Sequence, residues 1–502
     1  MTGGRRHRVL RIVLVVALVV VAGAVGSVAL YAPTSEDSGG TSAGGASSTP
    51  SAVTTTVATP DPSVAPTRSP APPSASPALW QRTASAAAPL LMAVSPAANA
   101  ADPSTAGLTA TLTPLLGDHA FAGDDVAMLV ADAASGRVLF DHDGADAVPP
   151  ASTAKLAVAV AALQVLGPDA HLSTRVVQGS APSQVVLVGG GDPTLSGPAA
   201  VGPRSPGYPA PASLVTLAQL TAAQLHARGL TTISLGYDAS LFRGATLAPG
   251  WKPIYQSEGD VAPVSALEVD EGHPNPGLAA TAADPAAAAA AEFAALLTRD
   301  GVAVTGVPTG AHAVQGKAVL ASVASPPMSE LVQRMLGRSD NDLAEALSRQ
   351  VAIATGHPAT FAGGVAAVRA AVAQLGIDAT GLAMVDASGL SPLDRVKLAT
   401  LLALLRLAIG PGHDRLASIL SGLPVAGFSG TLSDRFGGPA AAGAGVIRAK
   451  TGTLDGVVAL AGYLRDDSGA TLVFATIVTR VAKNATTPTE AAVDRLSASL
   501  VP

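Results

Sequence analysis

The chain has 502 residues, a formal net charge of −6 and no cysteine. Its length admits two or three domains, and its mildly acidic balance argues against a nucleic-acid partner, which calls for a basic face. The missing cysteine excludes disulfides and thiolate nucleophiles, and nine histidines without H-E-x-x-H or paired-ligand spacing give no reason to expect a metal or another cofactor.

Residues 1–11 form a basic tail with Arg5, Arg6, Arg8 and Arg11, and an uncharged run of 19 residues follows over 12–30. That is close to the roughly 20 residues that cross a bilayer as a helix, and the arginines set its N-terminal end in the cytoplasm. The run exceeds the roughly 7–15-residue core of a signal peptide, which favours an anchor over 12–31; cleavage after Ser27-Val28-Ala29 is the alternative. The expected location is therefore the cell membrane, single-pass, with the bulk of the chain outside the cytoplasm, or secretion if the segment is cleaved. Residues 32–101 are rich in Ser, Thr, Pro and Ala. They carry too little apolar surface to offset chain entropy and read as a proline-stiffened linker.

Folding is expected from residue 102. The stretch 108–116 reads as a helix, and 126–143 as a hairpin turning at Ser135-Gly136. "PPASTAKLAVAVAAL" (149–163) follows as a buried helix, apolar on all faces. Its one charge, Lys155, stands three residues after Ser152, which puts an amine and a hydroxyl on one face. Residues 173–320 mix short β-like runs with loops, interrupted by one long helix over 284–301 with Asp284 as cap and Gly301 as stop. Helices return over 326–336, 341–356, 361–376 and 391–409. Residues 446–480 close the chain as a three-stranded meander. The order implies an α+β domain whose antiparallel sheet takes strands from both ends of the sequence.

Three patterns carry chemistry: Ser152-Thr153-Ala154-Lys155, Ser339-Asp340-Asn341 and Lys450-Thr451-Gly452-Thr453. Each alone is weak, but Lys155 is the only lysine with a serine three positions before it, and Lys450 the only one followed by Thr-Gly. A serine hydroxyl needs a base to become a nucleophile. Lys155 can be that base when neutral, and burial at a helix start with a second cation nearby, Lys450, lowers an ammonium pKa. Ser339 can relay a proton and Asn341 can hold both Lys155 and a substrate amide. Gly452 lets a substrate backbone approach the strand, Thr451 and Thr453 offer hydroxyls to a carboxylate, and the N–H groups of Ser152 and Thr453 are natural oxyanion donors.

The three patterns in this order, together with "LGPDAHLSTRV", "GGGDPTLS", "PVSALEVDEG", "DASGLSPLDRV" and "LPVAGFSGTLSDRF", resemble the D-alanyl-D-alanine carboxypeptidase/endopeptidase family of class C low-molecular-mass penicillin-binding proteins. The resemblance runs from about residue 108 to the C-terminus. It implies the serine β-lactamase/penicillin-binding-protein fold, a serine peptidase acting on peptidoglycan stem peptides through acyl-Ser152, and acylation by β-lactam antibiotics. It also implies Lys155 as base, Ser339 and Asn341 as relay and positioning groups, and Lys450, Thr451 and Thr453 as a carboxylate clamp. The 187-residue gap from Ser152 to Ser339 matches the insertion that this family carries, so 102–172 with 322–502 are expected to form the catalytic domain and 173–321 an inserted, β-rich one. A β-lactamase or esterase on the same fold, or a non-catalytic binder, is the competing reading.

Other features have plainer readings. "GGGDPTLS" lacks a following G-K-[ST] and reads as a structural turn. Ser339-Asp340-Asn341 suits a helix cap as well as a site. Trp251 and Tyr255 read as packing, and Asp386, Ser388 and Arg395 as either loop structure or site support. Ala387 and Asp394 stand where the family resembled often has Gly and Asn.

Overall fold

The computed structural model describes residues 105–198, 210–273, 278–465 and 469–501. In chain order, helix α1 (Thr105–Leu116) precedes the hairpin β1 (Asp125–Asp132) and β2 (Val138–His142), the short β3 (Ala147–Val148) and helix α2 (Lys155–Val165). Strands β4 (Ser173–Gln178) and β5 (Gln184–Val188), helix α3 (Leu214–Ala227), strand β6 (Thr232–Asp238) and helices α4 (Ile254–Glu258) and α5 (Pro285–Arg299) follow. Next come β7 (Ala303–Val304), β8 (Thr309–Gly310), β9 (Val319–Ala324), and helices α6 (Met328–Arg338), α7 (Asn341–Ala354) and α8 (Phe361–Gln374). Strands β10 (Leu382–Ala383) and β11 (Arg395–Lys397), helices α9 (Leu398–Ile409) and α10 (Ala417–Gly422), strands β12 (Arg448–Leu454), β13 (Val457–Arg465) and β14 (Thr471–Thr479), and helix α11 (Thr486–Ala498) complete the chain.

The central antiparallel sheet has the order β12-β13-β14-β1-β2, so strands from both ends of the sequence meet at β14–β1. Both faces are covered, as the alternation of strand side chains requires. Ala127, Leu129 and Ala131 of β1 pack into the cluster that holds α2, α6, α7, α8 and α9. Val126, Met128 and Val130 face the opposite cluster, with Leu112 of α1 and Val493 and Leu496 of α11. Helix α2 is buried from Lys155 through Leu163, as its all-round apolar sequence demands.

A second sheet, β7-β6-β5-β4-β9 with β8 on β6, is built from residues 173–324. Asp284 caps α5 by accepting from Ala287 N–H, and Gly301 follows with φ +86°. The sequence predicts one long helix here; the described residues hold two. In α3 the residues Leu214, Leu217, Ala218, Thr221, Ala222 and Leu225 are buried at helical spacing, and Ser213 caps its start. The expected helix over 149–163 also begins differently: 151–154 form a 3-10 turn and the α-helix starts at Lys155.

The expected single-pass membrane placement is corrected. Among the described residues no helix is long and apolar enough to cross a membrane, and the segment 12–31 to which that expectation was tied lies outside the described residues, as does the linker 32–101.

Candidate active site

The 3-10 turn at 151–154 puts Ser152 at the mouth of α2, and Lys155 one turn later points back at it. Lys155 is fully buried. Its Nζ lies 2.9 Å from Ser152 Oγ, 2.7 Å from Asn341 Oδ1 and 2.6 Å from the Ser388 carbonyl oxygen. An ammonium donates to all three. A neutral amine keeps two donors, for Asn341 and Ser388, and turns its lone pair toward the Ser152 hydroxyl. Burial depresses the Lys155 pKa to about 8, against the opposing pull of Asp386, Asp340, Glu345 and Asp342. The amine is thus available as a base near neutral pH.

The Ser339-Asp340-Asn341 turn divides its labour. Asp340 is the cap of α7, accepting from Leu343 N–H at 2.9 Å and from Arg334 at 3.0 Å. Ser339 ends α6 in the left-handed region at φ +60°, and Ala151, just before Ser152, sits at φ +47°. Such conformations cost about 1–3 kcal/mol each in a residue with a side chain. Asn341 accepts from Lys155 and donates from Nδ2 to the Asp260 carbonyl at 2.7 Å.

Strand β12 supplies the third motif. Lys450 is fully buried and donates to the Thr451 carbonyl at 2.8 Å. Its pKa falls well below the ordinary lysine value through burial, then through the charge of Lys155. Of the two causes expected to lower Lys155, burial and the charge of Lys450, burial is the one that dominates. Gly452 has a role that the sequence reading missed. A Cβ there would stand 3.0 Å from Ala151 Cβ and the Pro150 oxygen and 3.1 Å from Ser152 N, so glycine lets the strand press against the Ser152 turn. The Thr451 hydroxyl is 2.7 Å from that of Thr431, and Thr453 donates to Glu490 at 3.0 Å.

Ser152, Ser339, Asn341, Thr451 and Thr453 line one cleft of about 540 Å³. Lys155, Lys450 and Gly452 lie behind its wall. Tyr255, Glu258 and Asp260, from the long segment between the first two motifs, also face it.

Behind Lys155 stands a support of which the sequence offers Asp386 and Ser388 as candidates but gives no sign of Glu345. Glu345, fully buried on α7, accepts from Ala387 and Ser388 N–H at 2.8 and 2.9 Å and pairs with Arg349 at 3.1 Å. Asp386 accepts from Gly389 N–H and Ser391 N–H, both at 2.7 Å, and from the Trp251 indole at 2.6 Å. A Cβ on Gly389 would run into the Ala151 carbonyl. The loop 386–391 is thereby clamped against the Ser152 turn and offers the Ser388 carbonyl to Lys155. Of the three residues left open between loop and site, Asp386 and Ser388 support the site. Arg395 donates only to the Pro392 and Asp394 carbonyls. Trp251 is more than packing, since its indole orders Asp386. Asp394 accepts from Val385 N–H at 2.7 Å, and burial with the charge of Asp386 pushes its carboxyl up to about 9.

A helical layer over an antiparallel sheet, with a cleft-facing serine paired to a buried lysine beside the edge strand, defines a penicillin-binding-protein-like α+β fold. Penicillin binding protein 4 of Haemophilus influenzae superposes with a TM-score of 0.62 over 80% of this chain and 98% of that structure, at 21% identity. Residues 108–283 and 274–500 match the D-Ala-D-Ala carboxypeptidase 3 (S13) family. A carboxypeptidase of Mycobacterium tuberculosis is 40% identical over 77% of this chain and 82% of its own length. The carboxypeptidase DacB of Mycolicibacterium smegmatis is 37% identical over 80% and 85%. This chain belongs to the S13 family of D-Ala-D-Ala carboxypeptidases.

Proposed function

We propose that Ser152 is the nucleophile of a serine-type D-Ala-D-Ala carboxypeptidase acting on peptidoglycan stem peptides. Ser152 Oγ attacks the carbonyl of the D-Ala-D-Ala bond and its proton passes to neutral Lys155. The oxyanion is held by the N–H groups of Ser152 and Thr453. The C–N bond then breaks, Ser339 relays a proton to the departing D-Ala amine, and water later cleaves the ester. Asn341 holds Lys155 in place, while Thr451, Thr453 and the charge of Lys450 receive the terminal carboxylate beside Gly452. The expected boundary at 321/322 would cut β9, which pairs with β4 in the second sheet, so we assign 102–172 with 325–502 to the catalytic domain and 173–324 to the insertion.

The observation that carries this reading is the buried Lys155 amine, 2.9 Å from the Ser152 hydroxyl and with a pKa of about 8. β-Lactams present a strained amide to the same serine, and ring opening expels no fragment, so intact-mass spectrometry after benzylpenicillin treatment tests it. One added drug mass, absent in Ser152→Ala, is expected. Hydrolysed drug without an adduct would mark a β-lactamase instead, and intact drug without an adduct would refute the acyl-Ser152 reading.

A further inference from the structure

The "GGGDPTLS" turn is not used by the chemistry above, yet it borders a second cavity. Asp192 accepts from Thr194 N–H and Oγ1, closing the turn at 3.0 and 2.6 Å. Gly189 and Gly190 are jammed against main chain: a Cβ on the first would strike the Ala266 carbonyl, and on the second the Ser173 carbonyl. The turn thus packed borders a cavity of about 520 Å³ between the insertion and α7. Arg175, Arg243, Gln315 and Gln350 line it. Neither arginine side chain has an acidic partner among the described residues. The one carboxylate in the wall, Asp238, is already committed to Ser240 N–H at 2.9 Å and Ala313 N–H at 2.7 Å. The cavity therefore gathers two unpaired guanidinium groups on a chain whose net charge is −6. Guanidinium forks fit carboxylates in a bidentate manner.

This cavity is separate from the catalytic cleft, since the two share no lining residue. Helix α7 runs between them, from Asn341 in the cleft to Gln350 in the cavity wall. Nine residues of helix advance about 14 Å. A dipeptide spans only about 7 Å, so a minimal substrate cannot occupy both. A polymer with many stems can, and every stem that ends in D-Ala-D-Ala ends in a carboxylate.

We propose that the Arg175–Arg243 cavity is a carboxylate-binding exosite that docks a second stem peptide of the peptidoglycan polymer while another stem is cleaved. The inference rests on the D-Ala-D-Ala carboxypeptidase reading. It adds affinity for polymer through effective concentration without altering the chemistry at Ser152.

The test compares the full chain with the Arg175→Gln/Arg243→Gln double variant and with Arg175→Lys/Arg243→Lys, which retains charge. Co-sedimentation with purified peptidoglycan at low salt should fall about fivefold in the Gln variant, as two solvent-facing ion pairs predict, and largely persist in the Lys variant. Binding of the unaltered chain should fall similarly on peptidoglycan stripped of its stem peptides. Release of D-Ala from a diacetylated tripeptide ending in D-Ala-D-Ala should be unchanged in all three proteins. Unchanged sedimentation in the Gln variant, equal binding to stem-free glycan, or loss of tripeptide turnover in parallel with sedimentation would each overturn the exosite. Failure of the unaltered chain to release D-Ala from the tripeptide would refute the peptidase reading instead.

Discussion

The carbonyl oxygen of Ser388 accepts from Lys155 Nζ at 2.6 Å, joining residues 233 positions apart. The Ser388 side chain plays no part in this bond. Its main chain is held in place by Glu345, which takes the N–H groups of Ala387 and Ser388 on one oxygen and Arg349 on the other.

Glu345→Ala removes that anchor and leaves Arg349 buried without its partner. Breaking a buried pair on one side costs about 3–5 kcal/mol. A urea titration should show that loss, and acylation by benzylpenicillin should slow in the protein that remains folded. Stability within 1 kcal/mol of the unaltered chain would contradict the clamp.

The depressed lysine predicts a pH profile. Lys155 serves as base only when deprotonated, and its pKa is about 8. The second-order rate of benzylpenicillin acylation should therefore climb from pH 6 and level off above about 8. A flat profile over pH 6–9 would remove Lys155 from the role of base.

Asp394 predicts the opposite trend in stability. Its carboxyl titrates near 9 in the fold and about 3.9 when unfolded. Between these values the unfolded chain binds fewer protons, so this group's contribution to stability is whole below about 4 and declines as pH rises toward 9. Asp394→Asn keeps an oxygen for Val385 N–H and removes the titration. From pH 5 to 7.5, below the Lys155 range, the melting temperature of the unaltered chain should fall more than that of the variant. Parallel curves would refute the assignment.

Gly452→Ala separates folding from chemistry. The new methyl stands 3.0–3.1 Å from Ala151 Cβ, the Pro150 oxygen and Ser152 N, so the nucleophile turn must shift by a few tenths of an ångström. Acylation should drop at least about tenfold, because rates fall steeply with small misplacements of the reacting group. The melting temperature should move by only a few degrees. Full activity would show that the strand does not set the position of Ser152.

Much of this was legible in the residues. The hairpin, the meander and their union in one sheet follow from alternation and turn chemistry, and the three motifs meet as their order implies. The sequence leaves Ser388 open between loop and site because a carbonyl oxygen is common to every residue type, and only topology says which one reaches Lys155. Glu345 escaped because a lone glutamate on a helix usually faces water. Helix α3 was legible in principle: Ser213 and the i, i+3, i+4 pattern from Leu214 were present, but Thr and Gln diluted the contrast. Gly452 was assigned to substrate because nothing in sequence reveals that the Ser152 turn lies against the strand.

The pairing of β1 with β14 has a consequence in time. Residues 125–132 wait for 472–479 before the sheet can close, and β12, which carries Lys450, joins that sheet through β13. Ser152 and Lys155 leave the ribosome about 300 residues earlier, so at about 5–20 residues per second the nascent chain holds the serine–lysine pair without Lys450 for roughly 15–60 seconds. A chain wired in this way cannot bring its three motifs together while it is being made, and any break in translation before the meander leaves the cleft without the wall that β12 supplies.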